Sequence, residues 1–514
     1  MGGDGAAPVV KVNTSAGTST EPQCTGQPED ADDTVPLQQQ VGLLGGTALI
    51  IGSVIGSGIF VTPSGVYRGA GSIGMDLVIW SVGGLITLIG GLCYAELGSL
   101  LPASGGDYAY LSAAGRILPR GSEVGAFLFA WAGFTVMDPL GAATQGLAFA
   151  SYVLRPVYHT SNPPHFAVVL VANSFLGLTT FVNCISTKVS ERAQSLLSFI
   201  KCLVLIAIVL TAAVVAYRVN HLTDVPLFGN TNKDPGKLTL AIYSVLFSYS
   251  GWKCVNSIAA EMVDPHRQIP RALAAGILTV TLMYILVNVA YFICLDGKEI
   301  LRSEAVAVSF AQATWGPKAS FLIPVFVSFS VFGSACAGSF SGSRIVLAAA
   351  RQGHLPQFLS YVHAESAIPV ASIMTRGLLG MIYTSFIGSL DALIQAGVFI
   401  ESLIDVLVVV CLIVLRYTMK DSPRVYKVPA VLVALRLLIA AALVIIPLVD
   451  ATGCTPYILV LLVVGVGIIS YWLFVKLQFR LPGADGFNVF VQKVLLSAPC
   501  TNELNDLLAQ SKVF

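Results

Sequence analysis

A glycine-serine-glycine step interrupts the first long apolar segment of the chain. Residues 51–65 read IGSVIGSGIFVTPSG, with Gly56, Ser57 and Gly58 at the centre. A helix in lipid must satisfy its backbone polar groups internally, and irregular backbone persists there only where it lines a cavity. The interruption therefore predicts a polar binding site at mid-membrane depth. Freed amides at such a site hold an anion, and freed carbonyls hold a cation.

A second apolar segment is interrupted in a similar way. Residues 247–252 read FSYSGW, so serines and a glycine fall in the middle of a predicted sixth membrane span. Interrupted helices in corresponding positions of two repeats are the best pointer from sequence to a transporter site. Glycine and serine that merely let helices pack closely are the alternative explanation. Together the two interruptions favour a ligand with both charges, as in an amino acid zwitterion.

The composition is typical of a protein with many membrane spans. The 514 residues are 55% hydrophobic and 11% charged, whereas soluble domains carry about 25% charged residues. A net charge of +1 gives no reason to expect nucleic-acid binding. The ten cysteines are scattered without paired spacing, so the sequence predicts no zinc site and no disulfide scaffold. It shows no nucleophile–base constellation and no phosphate loop, so we expect neither an enzyme nor a cofactor.

The elements that must position the interruptions are membrane-spanning helices, which need about 20 apolar residues each. Twelve are predicted, near 41–66, 73–99, 123–154, 166–183, 192–217, 239–262, 270–295, 318–350, 371–388, 392–416, 429–449 and 456–478. An even number places both termini on one side. The arginines and lysines of the short loops predict that this side is cytoplasmic. We expect a disordered cytoplasmic tail at 1–38, a transporter domain at 39–480 and a cytoplasmic C-terminal tail at 481–514.

Several short motifs together resemble one family of transporters. They are GLLGG at 42–46, GSGIFVTP at 56–63, CYAELG at 93–98, SGGDYAY at 104–110, YSGW at 249–252 and RQGHLP at 351–356. The set resembles the light subunits of heteromeric amino acid transporters, the L-type group of the amino acid-polyamine-organocation superfamily. The resemblance extends from about residue 40 to 480. It implies an all-α membrane protein with twelve transmembrane helices, a LeuT-like 5+5 inverted repeat and broken helices 1 and 6.

The resemblance also implies an activity and a binding site. The activity is sodium-independent, obligatory exchange of amino acids across the plasma membrane. Backbone around Val54, Ser57 and Gly58 would bind the substrate carboxylate. Carbonyls of the second interruption would bind the α-ammonium, and the ring of Phe247 would form the outer gate. The residues that would supply the second half of the site are Phe247, Ser250 and Gly251.

Lys201 lies in the middle of the predicted fifth span, where a lysine needs an internal partner. The resemblance places it where sodium-coupled relatives bind their ion. Its ammonium would replace the sodium charge and bond to carbonyls of the first interruption and to Ser334. A lysine that is paired only for stability is the alternative.

Three charged residues depart from the pattern of the family. Glu401 and Asp405 lie four apart in the tenth span, on one helix face. Lys253 follows Trp252, where those relatives often carry asparagine. Unpaired charges at this depth are costly, so we expect Lys253 to pair with Glu401, Asp405 or both. Selection of a substrate side chain is the alternative role.

Two further departures concern spans 3 and 4. Asp138 precedes Pro139 where relatives commonly carry arginine, and it is either a proton-sensing or cation-selecting group or a neutral, hydrogen-bonded acid. Relatives use a cysteine between spans 3 and 4 for a disulfide to a heavy-chain glycoprotein. Ser161 occupies that position, so the covalent link is not expected. The protein would work alone or bind a heavy chain non-covalently.

The leading functional hypothesis is exchange of neutral amino acids, large or aromatic ones included. Because of Glu401 and Asp405, cationic amino acids remain possible substrates, and because of Lys253, acidic amino acids do as well. A proton-coupled or uniport carrier, with Asp138 or Glu401 titrating, is one alternative. A non-transporting amino acid sensor on the same fold is the other. By resemblance, Glu96 with Tyr94, together with Asp107, would form cytoplasmic gating elements.

Overall fold

The described part of the chain folds almost entirely into helices. The structure is a computed structural model that describes residues 41–101, 106–117, 123–158, 163–185, 187–219, 226–257, 262–303, 305–316, 318–363, 366, 368–387, 389–420, 426–449, 454–479 and 482–499. The predicted tail at 1–38 lies outside the described residues.

Eleven helices among the described residues are long and apolar enough to cross a membrane. The predicted sixth span supplies the twelfth crossing, but it is cut into helices of 14 and 4 residues. The expected all-α architecture of twelve spans, with helices 1 and 6 broken, is therefore confirmed. The uninterrupted spans are span 2 (Ile73–Leu100), span 4 (His165–Ile185), span 5 (Thr187–Val219), span 7 (Pro265–Cys294), span 9 (Val370–Ile387), span 10 (Leu390–Thr418) and span 11 (Ala430–Val449).

Three other spans join segments of different helical type. Span 3 runs from Val124–Ala132 through a π-helical turn, Gly133–Met137, into Asp138–Leu154. Span 8 begins with a 3₁₀ turn, Ala319–Phe321, and continues as Leu322–Arg351. Span 12 is Thr455–Ser470 followed by a π-helical stretch, Tyr471–Lys476.

Span 1 breaks where the sequence predicts it. Its first helix, Leu43–Val54, ends because Ile55 adopts extended backbone angles of φ −70° and ψ 91°. A new helix, Gly58–Val61, starts three residues later, and Pro63–Ala70 continues it. Proline lacks an amide hydrogen and is tolerated in the first turn of a helix. The interruption thus creates a new helix N-terminus inside the protein.

Span 6 breaks over five residues. Its first helix, Pro235–Ser248, is followed by non-helical backbone and then by Cys254–Ser257. Gly251 has a φ of +97°, a left-handed value that side chains rarely allow. The glycine is therefore the residue that lets the chain turn here.

The packing brings the two broken spans together. Span 7 packs along spans 1 and 2, and span 8 packs against spans 3 and 5. Span 3 also contacts spans 4 and 9, while span 10 contacts spans 6 and 11. Buried aromatic side chains fill the contacts around the breaks, among them Trp80, Tyr249 and Tyr284.

Short elements connect the spans. Helix Gly106–Ile117 follows span 2, and helices Gly297–Arg302 and Val306–Trp315 follow span 7. After span 8 come a 3₁₀ turn, Gln357–Ser360, and a strand, Tyr361–His363. A C-terminal helix, Ala484–Val494, and a strand, Ser497–Pro499, dock on that segment, with the two strands antiparallel.

Candidate functional site

The two breaks touch through glycines. A Cβ atom added at Gly58 would lie 2.6 Å from the Cα of Ser248 in span 6. A Cβ added at Gly251 would lie 2.7 Å from the carbonyl oxygen of Ser53 in span 1. Any side chain at either position would push the two spans apart. The close approach therefore explains why both breaks contain glycine, in addition to the turn at Gly251.

The restarted half of span 1 presents its N-terminus to this contact. Its first backbone bonds run from the amides of Phe60 and Val61 to the carbonyl of Ser57. The amides of Ser57, Gly58 and Ile59 have no carbonyl within the same helix to which they can donate, as in the first turn of every helix. These residues are buried. A buried helix N-terminus with its positive dipole end is suited to a carboxylate.

The two breaks also share a hydroxyl group. Tyr284 of span 7 is fully buried, and its hydroxyl lies 3.1 Å from the carbonyl oxygen of Val54 and 3.0 Å from that of Ser248. The side chains of Thr62 and Ser248 are joined by a hydrogen bond of 2.7 Å. Span 7 and these side chains therefore hold the two half-helices in register.

The carbonyl end of the site differs in detail from the expectation. The carbonyl of Phe247 already accepts the amide of Ser250 at 3.2 Å, inside the turn. A carbonyl oxygen has a second lone pair, so it can still accept a hydrogen bond from an ammonium. The ring of Phe247 is half-buried against the core beside the break.

Lys201 is buried, as its position in span 5 predicts. Only 4% of the residue is exposed, and its Nζ donates a 3.0 Å hydrogen bond to the Oγ of Ser334 in span 8. The predicted partner on span 8 is therefore present. Span 5 also packs against the first half of span 1. The expected bonds from the ammonium to carbonyls of the first interruption stay a prediction.

The expected pairing of Lys253 is present, and it involves more partners than expected. The Nζ of Lys253 lies 3.5 Å from Asp405 and 3.7 Å from Glu401. It also lies 3.3 Å from Asp107, on the helix after span 2. The same ammonium stands 5.0 Å from the centre of the Tyr94 ring, a distance typical of cation–π contacts.

Arg436 of span 11 completes this group and was not identified from the sequence. Its Nη2 contacts the Oδ2 of Asp405, and its Nη1 donates to the carbonyl of Ile86 at 3.1 Å. A single arginine inside an apolar span is a signal that could have identified it. We call Lys253, Asp107, Glu401, Asp405 and Arg436 the Lys253 cluster; it contains two cations and three carboxylates.

A small cavity adjoins the Lys253 cluster and the break in span 6. Its volume is about 30 Å³, and its lining includes Ser250, Lys253, Glu401 and Arg436. That space is enough for about two water molecules. In this conformation the cluster lies beside the break and shares this cavity with it.

Asp138 lies elsewhere, among spans 3, 8 and 9. Its carboxylate is packed so closely on span 8 that a Cβ at Gly342 would lie 2.4 Å from the Oδ2 atom. Arg376 of span 9 is the cation that acts on this carboxylate. The arginine is a partner that the sequence analysis did not identify.

The residues expected to gate the side of the termini form two contacts. Glu96, fully buried in span 2, accepts the Nε of Arg416 at 2.8 Å and the amide of Val428 at 2.8 Å. Asp107 contacts Lys253, as described above. These contacts tie span 2 and the helix after it to spans 6 and 10.

A polar pair lies beyond the spans, next to the RQGHLP motif. The hydroxyl of Tyr108 lies 2.9 Å from the Nδ1 of His354, whose Nε2 lies 3.2 Å from Glu123. Burial raises the pKa of Tyr108, so its hydroxyl remains protonated at neutral pH. The motif therefore joins the segment after span 8 to the helix after span 2.

The thiol groups that the structure describes are free. Ser161, which replaces the expected linking cysteine, lies outside the described residues. Among the residues described, no group of three histidine, cysteine, aspartate or glutamate side chains has the placement of a metal site.

Comparison with known proteins places this geometry in a family. The sequence profile described as amino acid permease matches residues 41–469. The b(0,+)-type amino acid transporter 1 of Rattus norvegicus is 33% identical over 490 residues, covering 95% of this chain and 94% of that protein. The large neutral amino acids transporter small subunit 2 of Oryctolagus cuniculus is 37% identical over 399 residues, 77% and 73% of the two chains. The cystine/glutamate transporter of Pongo abelii is 35% identical over 403 residues, 78% and 79%.

The matches span most of each chain, and the broken spans 1 and 6 lie inside the matched region. The chain belongs to the amino acid permease family, and it is a membrane transporter of amino acids rather than an enzyme.

Proposed function

We propose that this protein is a sodium-independent amino acid exchanger. It moves neutral L-amino acids, large or aromatic ones included, by alternating access. The observation that carries the proposal is the contact of two broken spans, one offering a buried helix N-terminus and the other a turn with carbonyl groups. Such a pair recognises the backbone end of any α-amino acid.

The substrate carboxylate binds at the restart of span 1. The amides of Ser57, Gly58 and Ile59 have no carbonyl acceptor within the restarted helix, so they are available to an anion. Val54 is the last helical residue before the break, and its carbonyl is held by Tyr284. The hydroxyl of Tyr284 therefore fixes the edge of the carboxylate pocket.

The substrate ammonium binds at the turn of span 6. The carbonyls of Phe247 and Ser248 end the first helix of span 6, those of Tyr249 to Gly251 lie in the interruption, and the left-handed Gly251 turns the chain there. The Phe247 ring lies next to this turn and serves as the gate toward the side opposite the termini. An apolar gate favours apolar substrate side chains, because it covers them without leaving polar groups unpaired.

Sodium independence follows from the position of Lys201. A fixed ammonium at the junction of spans 1, 5 and 8 supplies the positive charge that a sodium ion would otherwise bring. Its hydrogen bond to Ser334 and its burial hold it in place in this conformation. Occupation by a side chain leaves no vacancy for the ion.

Selectivity for neutral substrates is consistent with the Lys253 cluster. Lys253 and Arg436 are already matched by carboxylates of the protein. A charged substrate side chain would have to break one of these contacts. The names of the relatives include transport of large neutral amino acids, cystine and glutamate. We therefore expect the substrate side chain to be recognised by residues that differ among these proteins.

A proton-coupled or uniport carrier is the second candidate. The excess of carboxylates in the Lys253 cluster favours it, because one of the acids could take up a proton. A non-transporting sensor would bind amino acids without moving them. Trans-stimulation of efflux separates the exchanger from both.

The protein acts at the plasma membrane with both termini cytoplasmic. One relative is named a small subunit, which favours a larger partner chain for this protein too. Ser161 replaces the linking cysteine, so a heavy chain would associate non-covalently, or the protein would act alone.

The test is exchange by the purified chain in proteoliposomes, without any heavy chain. Vesicles are loaded with labelled leucine, and efflux is followed while each proteinogenic amino acid is added outside. We expect neutral amino acids to accelerate efflux equally in sodium and in choline buffers. Gly251→Ala, whose added methyl group obstructs the break in span 6, serves as the inactive control.

Three results would contradict the proposal. Efflux that does not depend on external substrate indicates a uniporter. Uptake driven by an imposed proton gradient indicates a symporter. Binding by calorimetry without any flux indicates a sensor.

A further inference from the structure

Asp76 of span 2 is a buried acid without a counter-charge. It is 0% exposed, and neither carboxyl oxygen has a hydrogen-bond partner among the described residues. The indole of Trp80, one helical turn further on, is a side-chain donor close to the carboxyl, though not within hydrogen-bond distance of it. Its Nε1 also lacks a partner within hydrogen-bond distance in the part of the chain that the structure describes.

The groups around Asp76 do not supply a positive charge. Burial and Trp80 account for its electrostatic environment. Tyr67, on the second half of span 1, interacts with Asp76, and Asp296 interacts with the same tyrosine. Neither Tyr67 nor Asp296 carries a positive charge. An ionised carboxylate that is buried without a partner is strongly unfavourable, so the group is held in its neutral form.

The position of Asp76 connects it with the breaks. Trp80 packs edge-on against Tyr284, with ring centres 5.4 Å apart, and its carbonyl accepts the Tyr249 hydroxyl at 3.2 Å. Tyr284 holds the carbonyls of Val54 and Ser248, as described above. Trp80 therefore lies in contact with residues that hold the two breaks together.

A loop covers the end of span 2 where Asp76 lies. The amide of Gly74 donates to the carbonyl of Leu227, and Ser72 bonds to Thr231 at 2.7 Å. The amide of Asn232 donates to the carbonyl of Ala70 at 3.0 Å. Residues 226–232 thus close this end of the bundle, on the side opposite the termini. Separation of this cover is the step that would admit water to Asp76.

We propose that Asp76 binds a proton whose presence is required for the transporter to close on the side opposite the termini. When the cover opens, water reaches the carboxyl and the proton exchanges with solvent. The ionised form cannot be buried again, so closure waits until the carboxyl is protonated. The proton is the ligand of this site, and the bond that forms is the O–H of the carboxylic acid.

The first experiment observes the proton directly. Infrared difference spectra of the full-length protein in lipid compare the wild type with Asp76→Asn at neutral pH. We expect the carbonyl stretch of one protonated carboxyl group to disappear in Asp76→Asn. Asp391→Asn is the matched control, because Asp391 is exposed and pairs with Arg68 on the surface. Loss of the same band in the control, or of none in Asp76→Asn, overturns the proposal.

The second experiment measures exchange against external pH, and this part rests on the proposed exchange. In the wild type, we expect the rate to fall by about tenfold per unit of pH above the titration of the open state, as for a single proton. Asparagine mimics the neutral acid, so Asp76→Asn should remove this decline while keeping the low-pH rate. A decline that persists in Asp76→Asn overturns the proposed role in closure. Absence of exchange in every sample would instead refute the proposed function, and the infrared band would still decide whether Asp76 binds a proton.

Discussion

At the level of single residues, the ammonium of Lys253 is shared by three carboxylates, and two of them lie within hydrogen-bond distance. Asp107 and Asp405 are at 3.3 and 3.5 Å, whereas Glu401 is at 3.7 Å. Asp405 also contacts Arg436. Glu401 is thus the least satisfied acid of the Lys253 cluster.

Removal of Lys253 should destabilise the protein strongly. Lys253→Met leaves three carboxylates facing one cation, and breaking a buried pair costs about 3–5 kcal/mol. We expect a lower midpoint of thermal unfolding in detergent, measured by fluorescence-detected size exclusion. The exposed Lys298→Met is the control and should match the wild type. The double variant Lys253→Met with Glu401→Gln should recover part of the loss; an unchanged midpoint in Lys253→Met contradicts the pairing.

Lys201 should be required for exchange more than for folding. Lys201→Met removes the buried charge and the bond to Ser334, so the charge that replaces sodium is lost. We expect exchange to fall by more than about tenfold, which corresponds to about 1.4 kcal/mol in the barrier. The measurement is efflux from proteoliposomes at matched protein content. Ser334→Ala removes only the hydrogen bond and should keep most of the activity; equal losses in both variants would point to packing alone.

Single residues were the least predictable part of the site. The pairing of Lys253 with Glu401 and Asp405 could be anticipated, because charges inside spans need partners. Arg436 was missed because its partner lies 31 positions earlier in the chain. Asp76 was missed because it falls in the first turn of span 2, where an acid is ordinarily solvated. Both depend on contacts that only the folded chain creates.

At the level of elements, glycine spacing determines how closely spans 1 and 6 approach. Gly251 combines a left-handed backbone with contact to Ser53, and Gly58 contacts Ser248. The left-handed backbone and the close contacts between the spans are separate reasons for glycine at these positions. The site is therefore defined by the absence of side chains as much as by polar groups.

Gly251→Ala should abolish exchange while the rest of the bundle remains folded. The new methyl group clashes with the Ser53 carbonyl, and alanine disfavours the left-handed φ at this position. The overpacking alone costs about 1–3 kcal/mol. The measurement is efflux in proteoliposomes, with a monodisperse size-exclusion peak as the check on folding. Gly141→Ala is the matched control, since a Cβ there has open space. Normal exchange by Gly251→Ala would refute the importance of the close contact.

The helical elements were predictable because hydropathy and length decide them. The prediction placed span 6 at 239–262 and its interruption at 247–252, and the structure has helices Pro235–Ser248 and Cys254–Ser257. Span 7 was predicted from 270 but begins at Pro265. The helix contains Pro270 as an internal residue near its N-terminus. Composition identifies the part of a helix that lies in lipid, whereas the helix itself continues into polar turns outside the lipid.

At the level of the whole molecule, two groups of contacts tie spans 2, 6 and 10 together on the side of the termini. The Lys253 cluster links span 6 to span 10 and the helix after span 2. The bond between Glu96 and Arg416 links span 2 to span 10. Alternating access on this side requires both contacts to separate or to move together.

The absence of a linking cysteine has a direct consequence for assembly. We expect the wild-type chain to run as a monomer on non-reducing gels after co-expression with a heavy-chain glycoprotein. Ser161→Cys should introduce a band of higher mass that reducing agent removes, because it restores the linking position of the family. Val157→Cys, in the same loop, is the control for accidental oxidation. A reducible heterodimer formed by the wild type would contradict the non-covalent assignment.

The last described strand, Ser497–Pro499, pairs with Tyr361–His363, a segment made much earlier in translation. The connection between spans 8 and 9 therefore obtains its partner strand only after all the described membrane spans have been synthesised. Phe487 stacks edge-on against Phe358 in the same contact. A premature stop codon before residue 484 would leave every membrane span intact and still expose an unpaired strand edge. Quality control in the cell would then meet a chain whose described membrane spans are all present but whose connection between spans 8 and 9 lacks its partner strand.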